Sequence, residues 1–108
     1  MAKDSMYKIK ESTLNRNVVK WLNSLPNCFA YKCMGTAFNP GHLDVSGCLH
    51  GIRIELEGKV GSNKPTRNQA HYIAKWRAAG AITGWYNSLD QAKEIVSTQI
   101  YVKAGIKL

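Results

Sequence analysis

Leu14, Val18, Leu22 and Leu25 recur at the three-to-four-residue spacing of one helix face, and Pro26 closes the run. This spacing predicts a helix over residues 11–25, with Ser12 or Thr13 as its cap. Residues 28–34 read as a strand ending at Gly35, and Asn39-Pro40-Gly41 is a turn signal. The period then changes to two. Ile52, Ile54 and Leu56 alternate with Arg53, Glu55 and Glu57, so residues 43–48 and 52–57 read as two short strands, with Gly47 and Gly51 framing their connection. A Gly/Lys/Ser/Asn loop over 58–65 precedes a second helix over 66–79, which Gly80 ends. Residues 81–86 form a further strand. Ser88 opens a last helix with Gln91 as capping-box partner. That helix runs to about residue 97, and residues 98–102 either continue it or form a short strand. A strand–helix–strand step requires a parallel pair. The fold class is therefore α/β, a mixed sheet flanked by helices.

The 108 residues amount to one domain, with residues 1–10 as a loose basic lead-in. Fifteen Lys and Arg against seven Asp and Glu give a net charge of +8, spread from Lys3 to Lys107. Such a field favours nucleic acid or another anionic surface. No apolar stretch approaches the ~20 residues of a membrane span. The N-terminal residues carry no signal-peptide apolar core, and three cysteines make no disulfide framework. A cytoplasmic setting, with a partner inside the cell, is the expectation.

Three of the seven acidic residues, Asp44, Glu55 and Glu57, fall on the one apparent hairpin. A magnesium ion takes a few carboxylates in near-octahedral geometry. If Asp44 lies opposite Glu55, both leave one face about 5 Å apart at Cβ, and Glu57 shares that face. A one-residue slip would separate Asp44 from both. The alternation equally fits an edge hairpin with a solvated polar face. Against that stands the repulsion among three carboxylates with only Arg53 between them, which a metal would relieve.

Pro40-Gly41-x-x-Asp44, then Ile54-Glu55-Leu56-Glu57, then Thr66-x-x-Gln69 heading a helix that ends at Gly80, resembles the VRR-NUC branch of the PD-(D/E)xK nuclease superfamily. Archaeal Holliday-junction resolvases are more distant relatives. Glu11-x-x-Leu14-Asn15-x-x-Val18 is similar to the family's first helix, and the resemblance spans about residues 11–96. It implies a restriction-endonuclease-like α-β-β-β-α-β-α core. It also implies a Mg²⁺- or Mn²⁺-dependent DNA endonuclease, selective for branched or junction DNA, homodimeric and acting in a bacterial or phage-infected cell. The resemblance implies Asp44 and Glu55 as metal ligands, joined by the backbone carbonyl of Leu56, with Glu11 approaching through water.

The family pattern ends in Glu-x-Lys, and in this alignment Glu57 stands at the lysine. Three readings follow. Glu57 is a third ligand or general base; or Lys59 or Lys64 reaches in from the neighbouring loop; or the chain is a catalytically inactive module that still binds nucleic acid. A basic RNA-binding domain with an incidental acidic hairpin is a third class of function.

Lys64 and Arg67 flank the start of the second helix, where free N–H groups favour phosphate. Gln69 is a catalytic candidate there, and Thr66-x-x-Gln69 is also a capping box. Lys32 is implied to touch the substrate strand; the alternative is an edge lysine that blunts aggregation. His42, just before Asp44, either assists proton transfer or is simply exposed. Cys28, Cys33 and Cys48 lack zinc-site spacing and read as small free-thiol residues. Trp21, Tyr72, Trp76 and Trp85 read as core or dimer contacts, with base stacking as the alternative.

Overall fold

The stripe of Leu14, Val18 and Leu22 is the buried face of α1 (Glu11–Asn23) in the computed structural model, which describes residues 10–33 and 41–108. Most of the basic lead-in, the strand end at Gly35 and the Asn39-Pro40 part of the turn lie outside the described residues. Ser12 and Thr13 sit inside α1 and not at its cap, which is Lys10, without a side-chain hydrogen bond. Then follow β1 (Cys28–Lys32), β2 (Val45–Leu49), β3 (Ile52–Gly58), α2 (Arg67–Ala78), β4 (Ile82–Tyr86) and α3 (Leu89–Ala104). Residues 98–102 continue the last helix, which closes on Gly105 in the left-handed conformation, φ 69°.

The sheet order is β1-β2-β3-β4. The first two pairings are antiparallel, and β3 and β4, joined through α2, are parallel. One face carries Ala30, Val45, Leu49, Ile54, Leu56, Ile82 and Tyr86, packed against Leu14, Val18 and Leu22 of α1 and Ala92, Val96 and Ile100 of α3. Burying each such aliphatic side chain is worth roughly 1.5–3 kcal/mol. The other face carries Ser46, Arg53, Glu55, Glu57 and Thr83, and α2 packs there over β3 and β4.

The β2–β3 connection is a two-residue turn. His50 and Gly51 have φ of 50° and 83°, the pair of positive values that a type I′ hairpin demands. The turn sets Leu49 opposite Ile52, and with it every later pair. Gly47 is therefore mid-strand and does not frame the turn. It lies so close to β1 that a Cβ there would stand 2.5 Å from the Phe29 carbonyl oxygen.

Both sheet edges are closed by carboxamides. Asn23 donates to the Ala30 carbonyl at 2.9 Å and accepts from its N–H at 2.8 Å. Gln99 does the same for Thr83 on β4, at 2.8 and 3.0 Å. Among the described residues, no helix is long and apolar enough to cross a membrane.

Candidate metal centre

The His50-Gly51 turn decides which carboxylates meet. It pairs Ser46 with Glu55 and Val45 with Leu56. One step further, Asp44 faces Glu57 across the hairpin, and its N–H donates to Glu57 Oε1 at 3.3 Å. Glu11, in the first turn of α1, completes the group. Carboxylate oxygens of Glu11, Asp44 and Glu57 all lie within 4.8 Å of one another.

Asp44 is held on three sides. Its Oδ2 accepts from the Gly58 N–H at 3.0 Å, and its carbonyl accepts from the Cys33 N–H at 2.7 Å. Gly58 has no room for a side chain, because a Cβ would collide with Asn15 Oδ1. That oxygen accepts the Tyr86 hydroxyl at 2.5 Å, and Tyr86 and Asn15 form a buried floor under the site. Burial, and then the charges of Asp44, Glu57 and Glu11, raise the Tyr86 hydroxyl and keep it a neutral donor.

The centre holds surplus negative charge. Glu57 is 2% exposed. Burial, followed by the Asp44 charge, pushes its carboxyl up to about 7, with Lys59 opposing. Burial and Asp44 raise Glu11 as well. Among the described residues, the cation paired with this group is Lys59, whose Nζ lies 3.6 Å from Glu57 Oε2. Three hard oxygen donors with too little positive charge beside them fit a divalent cation such as Mg²⁺ or Mn²⁺.

Glu55 stands apart from this group. Its Oε2 accepts from Arg53 Nε at 2.9 Å and Nη2 at 2.6 Å, and its Oε1 accepts from the Leu43 N–H at 3.0 Å. His42 Nδ1 lies 3.7 Å away. Glu55 is fully buried and paired with Arg53, and it is not one of the three carboxylates that converge. Leu56 pairs with Val45 and Gly84 and points its side chain into the core.

Gln69 and Thr66 form the complete capping box: Thr66 N–H to Gln69 Oε1 at 2.8 Å and Gln69 N–H to Thr66 Oγ1 at 3.1 Å. Lys64 and Arg67 are exposed beside it. Lys32 is exposed at the end of β1 opposite Val45, so strand alternation puts it on the face away from Ser46 and Glu55. Cys28, Cys33 and Cys48 are free thiols.

The signal overlooked in the chain is Glu57-Gly58-Lys59. It spells Glu-x-Lys two residues beyond the Glu55 alignment.

No protein-family model matches this chain, and no curated protein does. Six solved chains are similar to it. One, described as a VRR_NUC domain, covers 80% of this chain and 92% of its own, with a TM-score of 0.65 and 19% identity. At that identity the likeness is one of fold. The chain has the α/β architecture of a VRR_NUC domain, with a mixed four-stranded sheet and three helices among the described residues.

Proposed function

We propose that this protein is a metal-dependent nuclease of the VRR-NUC kind that hydrolyses phosphodiester bonds in DNA, with Glu11, Asp44 and Glu57 as metal ligands and Lys59 as the catalytic cation. The observation that carries this reading is the convergence of three carboxylates, from α1, β3 and the residue just ahead of β2, within 4.8 Å, beside one ammonium group. A bound Mg²⁺ or Mn²⁺ would supply Lewis acidity toward a phosphate oxygen and a more acidic water. Asp44, preset by the Gly58 N–H, would hold that ion together with Glu57 and Glu11. Lys59 Nζ, 3.6 Å from Glu57 Oε2, stands where negative charge would grow on the phosphate during attack.

In this alignment the Glu-x-Lys ending is Glu57-Gly58-Lys59, and position 57 is no departure from the pattern. The inactive-module alternative drew on a missing lysine, and Lys59 supplies one. Glu55 becomes a positioning residue that fixes Arg53 and the Leu43 backbone ahead of Asp44. Lys64 and Arg67 contact the DNA backbone, with Lys32 on a more distant surface. Preference for branched DNA and a homodimer to match it belong to the same proposal.

Incubation with linear and branched DNA, with and without Mn²⁺, tests it. Cleavage is expected only with the ion, and Asp44→Asn, Glu57→Gln and Lys59→Ala each reduce it by on the order of 100-fold or more. Mn²⁺ titration by calorimetry should show weakened binding in Glu57→Gln and little change in Glu55→Gln. The reverse result would return the ligand role to Glu55.

A further inference from the structure

The sheet face that carries Glu57 continues, toward the start of β3, into a cavity of about 460 Å³ between β3, α2 and the segment ahead of Asp44. Small-molecule sites occupy roughly 300–1,000 Å³. Tyr72 and Trp76, one turn apart on α2, form its aromatic walls, and Arg53, Lys75 and His42 line it with nitrogen. Among the described residues, no acidic one lines it. The nearby Glu55 carboxylate is already bonded to Arg53.

The walls are fixed in place. Trp76 Nε1 donates to the Gly41 carbonyl at 2.7 Å, and the Arg53 guanidinium lies 5.1 Å from the indole centroid. A Cβ at Gly41 would stand 3.1 Å from the Tyr72 ring. Lys75 Nζ lies 6.0 Å from the centroid of that ring.

Anchored rings beside cations offer a stacking surface to a planar base and ion pairs to its phosphate. A paired base in a duplex has no free face to stack. We propose that this cavity receives one unpaired nucleotide of the substrate strand, its base against Tyr72 and Trp76 and its phosphate at Lys75 and the outer edge of Arg53. Arg53 and Glu57 lie four positions apart on β3, about 13 Å. The base is therefore taken a few nucleotides from the metal centre. The proposal rests on the nuclease reading and narrows its substrate to DNA with an unpaired position beside the cut.

The test measures binding without divalent ion, so it needs no cleavage. Two duplexes are compared, one blunt and one with a short single-stranded extension carrying 2-aminopurine. The wild-type protein is expected to prefer the extended DNA by about tenfold and to quench the 2-aminopurine emission. Tyr72→Ala and Lys75→Ala should each reduce the ratio of the two affinities several-fold. Tyr72→Phe, which keeps the ring and the fold, should retain it.

Equal wild-type affinity for the two DNAs would overturn the proposal. So would a ratio unchanged in folded Tyr72→Ala and Lys75→Ala, or free dAMP binding as tightly as the extended DNA. If Mn²⁺-dependent cleavage is absent while the preference stands, the nuclease reading fails and the cavity assignment survives.

Discussion

At Glu57, burial and the facing Asp44 carboxylate raise the carboxyl from an ordinary 4.5 to about 7. Between those values the folded protein holds a proton that the unfolded chain has released. The contribution is therefore fully present below about 4.5 and is lost as the pH rises through about 7. It amounts to about 3 kcal/mol at most. Thermal unfolding of the metal-free protein from pH 5 to pH 8 should show stability falling across this window, and Glu57→Gln should flatten the slope. If, as proposed, a divalent ion binds in place of that proton, Mn²⁺ should stabilise the protein at pH 8 and have little effect at pH 5. The neighbouring Glu55 is also buried, yet Arg53 and the Leu43 N–H satisfy it. Two carboxylates on one strand face thus differ in their surroundings because of their partners, which no residue count along the chain reveals.

Among the elements, the β2–β3 hairpin and the two helix-borne carboxamides organise the sheet. β1 and β4 are edge strands, and free edges invite pairing with other chains. Asn23 from α1 and Gln99 from α3 each occupy the outward N–H and C=O of one edge residue. Gln99→Ala would strip both side-chain hydrogen bonds from the backbone of Thr83, a fully buried residue whose hydroxyl has no partner among the described residues. The expected cost is about 1–3 kcal/mol in denaturant unfolding, together with concentration-dependent association visible by light scattering. The helices themselves were legible in the chain, because stripes and capping boxes are local, although the cap of α1 is Lys10 and not Ser12 or Thr13. Thr66-x-x-Gln69 forms the box that its spacing predicts, and the stripe on α1 is the buried one. The choice between strand and helix for residues 98–102 was not local. Ile100 is buried in the core that α3 shares with α1 and β4, and this packing carries the helix on to Ala104.

On the scale of the whole molecule, the net charge of +8 surrounds a small acidic centre. Backbone contacts from such a surface release counterions, so DNA affinity should fall steeply between 50 and 200 mM salt. Lys64→Ala and Arg67→Ala should each lower the slope of log K against log salt by about 1, equally across sequences; an unchanged slope would place those residues off the DNA. The order of elements, the mixed sheet they require and the resemblance to VRR-NUC nucleases were all determined by the sequence alone, since they rest on periodicity, caps and motif order. The partner of Asp44 was decided only by the tertiary structure. A one-residue slip turns every side chain to the other face, but a two-residue slip keeps every side chain where the pattern wants it. Hydrophobic alternation therefore cannot distinguish Glu55 from Glu57 opposite Asp44. The geometry of the His50-Gly51 turn makes that choice, and the packing of α1 on the sheet brings in Glu11 from far along the chain.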